Sequence, residues 1–342
     1  MAGVLRLAMI GCGDISQQYL KAAAAMDCAE IVVVMDAVEA HAEKLAKEYG
    51  KEYTTDYAGV LKRKDVDAVI VSVPHYLHKE LAMQAAKAGK HVLCDKPIAT
   101  NVADGKKMIE ACRKAGVKLS VNFPKRHLSP IQKAKELLEA GTIGEVIYIV
   151  SDERGYKPES YWSQGWSGRV TTDWRKSKEK AGGGVLIMNM IHTIDAMRYA
   201  TGLEPVWVSG LVDTFVSAVE VEDTAAAVMK LSNGAMYSIQ SASSLAGSKP
   251  TWTTIHGKLG QMIPERPVRV YTTRTDTPFK AGEWTEVAVP EDKLSYVPYL
   301  TVTCKAILEG REVPIPGIEG VKSLAAVMGI YESSKSGKAV KL

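Results

Sequence analysis

The chain is poor in the features that mark several common protein classes. Its 342 residues hold five cysteines, Cys12, Cys28, Cys94, Cys112 and Cys304. The number is odd and no pair has C-x-x-C spacing, which argues against a disulfide framework or a zinc site. Free thiols fit a reducing compartment. No apolar run approaches the roughly 20 residues that span a bilayer. Met1–Met9 leads into a strand-like segment without a cleavable signal pattern, so the expected location is the cytoplasm and no membrane partner is expected. Charge of one sign is also scarce: 43 basic residues face 39 acidic ones, a net charge of +4. The one Lys-rich stretch, Lys176–Lys180, is short and interrupted and reads as a solvated loop, so no nucleic-acid footprint is expected. There is no internal repeat or low-complexity segment. No His/Cys/Asp/Glu set has metal-ligand spacing, and no serine sits in a nucleophile elbow.

The composition that remains, 46% hydrophobic and 24% charged, is that of an ordinary globular protein. The length suits two domains, each able to bury a core. In the first third, strand and helix signals alternate. Leu5–Ile10, Ile31–Met35, Ala68–Val73, His91–Cys94 and Val117–Val121 read as strands. Ile15–Met26, Ala40–Tyr49, Lys79–Ala88 and Ala103–Ala115 read as helices, the last three stopped by Gly50, Gly89 and Gly116. This alternation predicts a parallel, doubly wound sheet over residues 1–122. The pattern then changes. Helices are predicted at Ser129–Ala140, Val185–Ala200 and Val321–Ser334, a strand at Glu145–Val150 and β-like alternation from Val206 to Ser243. Leu231-Ser-Asn-Gly-Ala235 is a hairpin turn whose Asn-Gly pair tolerates positive φ at both positions. Residues 123–342 thus read as an α/β domain on an open, mainly antiparallel sheet.

Gly11-Cys-Gly13-Asp-Ile-Ser16 joins the first strand to the first helix as G-x-G-x-x-S. The first glycine permits the tight turn, the second lets backbone approach a pyrophosphate, and the small third residue allows helix–strand packing. The helix N-terminus offers its N–H groups to phosphates. Asp36 closes the second strand 25 residues after Gly11. It is placed to accept hydrogen bonds from ribose hydroxyls, and Ala37 and Val38 supply no cation for a 2′-phosphate. NAD is therefore expected over NADP.

Three further segments are more specific: Val73-Pro-His-Tyr-Leu-His78 with Ala88-Gly-Lys-His-Val-Leu-Cys-Asp-Lys-Pro97, then Gly182-Gly-Gly-Val-Leu-Ile-Met-Asn-Met-Ile-His192-Thr-Ile-Asp195, then Tyr331-Glu-Ser-Ser-Lys-Ser-Gly-Lys-Ala-Val-Lys341. Together they resemble the glucose-fructose oxidoreductase/inositol dehydrogenase/rhizopine catabolism (Gfo/Idh/MocA) family over essentially the whole chain. The resemblance implies a Rossmann domain followed by an α/β domain with a large, mostly antiparallel open sheet. It implies hydride transfer at a secondary hydroxyl of a sugar, glycoside or polyol, in a homo-oligomer (dimer or tetramer) that covers the open sheet.

Asp95-Lys96-Pro97 matches the family's Glu-Lys-Pro motif with a shorter acid. Pro97 restricts the backbone of Lys96, and a lysine beyond a strand's carboxyl end can polarise a substrate hydroxyl. His192 matches the general acid/base, a role suited to a near-neutral pKa. Asn189, His192 and Asp195 share one helix face. The family often has Asp four residues before this His, where Met188 stands, so Asn189 is the candidate hydroxyl contact. Asp195 either orients His192 or pairs with Arg198. The resemblance places Asp14, Ile15, Ser72, Pro74, His78, Asp95, Lys96 and Asn122 with Gly11, Gly13 and Asp36 around the cofactor. It places Arg126 with Lys96, Asn189 and His192 around the substrate. His75 and His78 lie in the cofactor-proximal loops, His78 as a packing residue. The aromatic run Tyr156, Tyr161, Trp162, Trp166 and Trp174 offers flat apolar faces to sugar C–H groups, and Arg175 a donor fork; Trp162, Trp174 and Arg175 are the named substrate candidates. The expected activity is an NAD-dependent sugar, glycoside or cyclitol dehydrogenase. A second expectation is an enzyme with bound, recycled NAD and a net non-redox reaction. A third is a dinucleotide-sensing regulator.

Overall fold

The apolar run Leu5–Ile10 forms β1, buried on both faces as a central parallel strand must be. It belongs to a six-stranded parallel sheet with β2 (Ala29–Met35), β3 (Glu52–Thr54), β4 (Ala68–Val71), β5 (His91–Asp95) and β6 (Leu119–Asn122), in the order β3-β2-β1-β4-β5-β6. The helices between them are α1 (Ser16–Ala24), α2 (Glu39–Tyr49), α3 (Tyr57–Lys62), α4 (His78–Lys87) and α5 (Val102–Lys114). The computed structural model describes residues 3–248, 252–292 and 296–342.

Two features of this sheet position the site. The strand order reverses between β1 and β4, the switch point where such sheets bind ligands. The register then aligns the strand ends: Ile10 pairs with Met35 and with Val71, Val71 with Cys94, and Asp95 with Asn122. Gly11, Asp36, Ser72, Asp95 and Asn122 therefore lie along one carboxyl edge.

By their internal contacts the residues form two units. The first holds the chain up to Phe123, Glu159–Gly183, and a later stretch ending at Leu324. That later stretch includes the helix Tyr296–Leu308, which buries Tyr299, Leu300, Cys304 and Ile307. Pro298 is tolerated in its first turn, where the backbone N–H has no intrahelical acceptor to lose.

The second unit is built on a nine-stranded sheet: β7 (Val146–Arg154), β8 (Pro205–Asp213), β9 (Thr224–Leu231), β10 (Met236–Ala242), β11 (Trp252–Gly257), β12 (Gly260–Ile263), β13 (Val268–Thr272), β14 (Trp284–Val287) and β15 (Val340–Lys341). The order is β14-β13-β12-β11-β7-β10-β9-β8-β15. Among the described residues only β7 and β10 pair in parallel. In β9, Ala225, Ala227, Met229 and Leu231 are buried, while Ala226, Val228 and Lys230 face outward. Trp207, Leu211, Val228, Met236 and Trp252 are exposed large apolar side chains of this sheet.

Two local expectations are corrected. The β9–β10 turn has positive φ at Gly234 alone, at 90°. Gly234 N donates to Leu231 O, and Leu231 N to Ala235 O, both at 2.8 Å, which makes a three-residue loop with one left-handed glycine. Asn233 accepts from Ala235 N at 3.0 Å and donates to Val146 O at 2.9 Å, so its side chain serves the loop instead. The helix predicted over Val185–Ala200 is also not uniform. Leu186–Met190 is a π-helical turn, followed by the α-helix Ile191–Thr201.

Candidate functional site

In the first unit, Gly11 has φ +95°, and a Cβ there would stand 2.1 Å from Ser72 O. The turn is pressed against the end of β4 and only glycine fits. A Cβ on Gly13 would meet nothing within 4 Å, so this side of the loop is open. Ser16 is fully buried and its Oγ donates to Gly13 O at 2.6 Å. Ile15 precedes α1 and is exposed. The Asp36 carboxylate accepts from Cys12 N and Val38 N, both at 2.9 Å, which fixes it at the end of β2. Burial and then the charge of Asp36 push the Cys12 thiol up to about 12, with Arg169 pulling the other way. An open glycine face, a helix N-terminus and a fixed carboxylate are what a dinucleotide's phosphates and ribose require.

Ser72, Asp95 and Asn122 are brought together at the ends of β4, β5 and β6. Asp95 accepts from Ser72 Oγ at 2.6 Å, Tyr19 OH at 2.8 Å and Asn122 Nδ2 at 3.2 Å. Asn122 also donates to Tyr19 OH at 2.7 Å. This buried cluster anchors the strand end from which Lys96 projects. Lys96–Pro97 is a cis peptide. One His78 ring nitrogen lies 2.8 Å from Pro97 O and the other 2.9 Å from Val73 O, so this buried ring ties the segments after β4 and β5. Pro74 opens the short turn His75–Leu77 that leads to it. His75 Nδ1 lies 2.7 Å from Ala181 O. Burial lowers the pKa of both histidines, and the positive charge of Lys96 adds to this. Lys96 itself is half-buried.

Residues 159–183 pack against this loop within the same unit. Trp166 N donates to Asp14 Oδ2 at 2.8 Å, Ser167 Oγ donates to Asp14 Oδ1, and Arg175 Nη2 lies 3.6 Å from Asp14. The Arg175 guanidinium sits 4.8 Å from the Trp174 ring centre and 5.5 Å from that of Tyr161. Trp174 is 4.5 Å from the His75 ring. Trp174 and Arg175 thus stand by the glycine-rich loop and His75. Trp162 is fully buried and has no face to offer a substrate, which corrects the expectation for it. Tyr156 belongs to the second unit, and the other aromatic residues of the run belong to the first.

In the second unit, the segment Val185–Ala200 is buried except at Asn189, His192 and Tyr199. Asn189 and His192 are three residues apart, so they open on one side of an otherwise enclosed helix. Thr193 Oγ1 donates to Glu153 Oε2 at 2.8 Å and accepts from Lys125 Nζ at 2.7 Å, tying the helix to β7. Asp195 is fully buried and accepts two 2.7 Å bonds from Arg126, with Arg198 at 3.4 Å. The fork of Arg126, 5% exposed, is committed to this internal pair, which corrects the expectation that it binds substrate.

Three residues here were missed in the sequence. Tyr19 completes the Asp95 cluster. Lys157 is buried and donates to Asn189 Oδ1 at 2.5 Å. Glu222 is buried and accepts from Gly184 N, Leu186 N and Tyr331 OH at 2.6, 3.0 and 2.7 Å, a carboxylate set at the start of the helix that carries His192. Burial raises its pKa against those hydrogen bonds. Lys157 and Glu222 lie in polar stretches where a charge reads as solvated, and no local pattern marks them. Among the described residues no group of three or more His, Cys, Asp or Glu could hold a metal, and no helix is long and apolar enough to cross a membrane.

Residues 5–123 match the model of an oxidoreductase family with an NAD-binding Rossmann fold, and residues 131–263 match the GFO/IDH/MocA C-terminal domain. A 2,7-anhydro-N-acetylneuraminate hydratase from Mediterraneibacter gnavus is 31% identical over 198 residues, which is 58% of this chain and only half of that protein. A myo-inositol 2-dehydrogenase from Thermotoga maritima is 27% identical over 99% of this chain and 98% of its own length. The structure of levoglucosan dehydrogenase in complex with NADH and levoglucosan superposes with a TM-score of 0.87 at 25% identity, over 98% of this chain and 99% of that one.

Proposed function

The chain belongs to the Gfo/Idh/MocA family of oxidoreductases, and on that premise we propose that it is an NAD-dependent dehydrogenase of a secondary hydroxyl on a sugar, glycoside or cyclitol. The observation that carries this reading is that Asn189 and His192, three residues apart, are the half-buried positions of a segment otherwise buried from Val185 to Arg198. NAD, when bound, accepts the hydride. Gly11, Gly13 and the start of α1 hold its phosphates, and Asp36 holds the adenosine ribose. A carboxylate fixed by two backbone N–H groups disfavours a 2′-phosphate, hence NAD over NADP. His192 takes the hydroxyl proton as general base. Lys96, held by the Asp95 cluster and the His78 tie, polarises that hydroxyl and favours its alkoxide character. Asn189, oriented by Lys157, contacts a neighbouring hydroxyl.

The inositol and levoglucosan dehydrogenases support a cyclic polyol or anhydrosugar as substrate. The hydratase among the relatives favours a second reading, in which NAD stays bound and is regenerated in each turnover. A second copy of the chain is assigned to the outer face of the nine-stranded sheet, where Trp207, Leu211 and Val228 stand exposed, and the cytoplasm remains the proposed location. The test is NADH absorbance with NAD and a panel of inositols, free sugars, glycosides and anhydrosugars. NADH formed with one class supports the dehydrogenase. Silence with NAD retained through purification supports the recycling enzyme. Silence with no NAD binding refutes both.

A further inference from the structure

Arg169 lies in the 159–183 segment of the first unit. Its side chain is only 7% exposed, although it sits among exposed neighbours. Its Nη2 pairs with Glu48, which also accepts from Gln17 Nε2 at 3.2 Å. Gln17 is in the first turn of α1, so the guanidinium is held beside the start of that helix. Its backbone is held from the other side. Arg169 N donates to Ser167 Oγ at 3.1 Å, and Ser167 Oγ donates to Asp14 in the glycine-rich loop. The charge is felt at Cys12, between the two glycines. Arg169 Nη1 is buried and has no hydrogen-bond partner. A buried charged donor without an acceptor is rare in folded proteins and calls for one.

We propose that Arg169 is a ligand for the pyrophosphate of the bound dinucleotide, an inference that rests on the dinucleotide reading of the glycine-rich loop. A guanidinium presents two N–H edges in a fixed fork. Nη2 stays on Glu48, which holds the fork in place, while Nη1 donates to a phosphate oxygen. The open face of Gly13 leaves room for the phosphates on the same loop. The pyrophosphate is assigned rather than a 2′-phosphate because the Asp36 carboxylate stands at the ribose position.

The test is titration of the intact protein with NADH, NADPH, ADP-ribose and adenosine, read by calorimetry, for the wild type, Arg169→Gln, Arg169→Lys and Glu48→Gln. Arg169→Gln should weaken NADH and ADP-ribose alike by at least about tenfold and leave adenosine unchanged, and Arg169→Lys should recover part of the loss. Glu48→Gln keeps an oxygen that accepts from Nη2 but loses the ion pair that holds the fork, so it should weaken both by clearly less than Arg169→Gln does, because the cation stays. Equal losses in Arg169→Gln and Glu48→Gln would reduce Arg169 to a structural ion pair and overturn the proposal. So would unchanged binding in Arg169→Gln, or a loss confined to NADPH. A wild type that binds neither NADH nor ADP-ribose would defeat the dinucleotide reading itself, and this inference with it.

Discussion

Lys157 Nζ donates a 2.5 Å hydrogen bond to Asn189 Oδ1, so a buried ammonium sets the direction of an amide one helical turn before His192. Lys157→Met keeps the aliphatic volume and removes the donor. The expected result is a sugar KM raised about tenfold with NADH affinity unchanged, and a stability loss of about 1–3 kcal/mol from the unpaired amide. Steady-state kinetics with calorimetric NADH binding check this. An unchanged KM would mean that Asn189 does not need Lys157.

The two glycines of the loop should fail differently. Gly11→Ala forces a Cβ to 2.1 Å from Ser72 O at φ +95°. It should lower the melting temperature by several degrees and abolish NADH binding. A Cβ on Gly13 meets no protein atom within 4 Å. Gly13→Ala should melt like the wild type yet lose NADH affinity, because the methyl occupies the cradle. Full binding by Gly13→Ala would place the phosphates elsewhere.

Asp95 accepts from Ser72, Tyr19 and Asn122. Asp95→Ala leaves three donors unmatched in a buried site and should cost about 1–3 kcal/mol. It should also cut turnover more than NADH binding, since Lys96 follows it directly. Asp95→Glu restores the family's usual acid but must fit a methylene behind a 2.6 Å contact with Ser72. It should destabilise by about 1–3 kcal/mol. Denaturant melts and turnover measurements on both variants test these expectations.

The buried histidines predict an acid-side loss of stability. Burial and Arg126 lower His127 from 6.5 to about 4, and burial holds His75 well below its ordinary value. Both stay neutral in the folded state while the unfolded chain takes up a proton below pH about 6.5. Their contribution is fully present above that pH and is lost as pH falls. The slope per group approaches about 1.4 kcal/mol per pH unit, ending near pH 4 for His127. Between pH 7.5 and 4.5 the wild type should therefore lose stability relative to His127→Gln. Parallel stability curves for the two would contradict the shift.

The alternating strands of the first unit were legible because central parallel strands are short, wholly apolar runs bounded by glycine or proline. The Gly11 turn, Asp36 and Lys96 follow from where those runs end. β3 and α3 were not foreseen, because Glu52-Tyr-Thr54 is a polar, three-residue edge strand with no apolar signal. The helix Tyr296–Leu308 was hidden by Pro298 and its β-branched residues. Neither composition nor periodicity shows that residues 159–183 return to the first unit, since that return depends on contacts such as Trp166–Asp14. The pairing of Arg126 with Asp195 spans 69 residues and is invisible locally. Sequence periodicity puts Asn189, His192 and Asp195 on one face, but Asp195 is fully buried in its pairing with Arg126 and Arg198.

The most direct measurement compares wild type and His192→Ala for NADH formation in a single turnover with the active sugar, alongside NAD affinity by calorimetry. If His192 is the general base, the rate should fall by about 100-fold or more, the Kd for NAD should stay within about twofold, and raising the pH should recover part of the rate. A variant that turns over at the wild-type rate, or that loses NAD binding and rate in equal measure, would contradict the role assigned to His192.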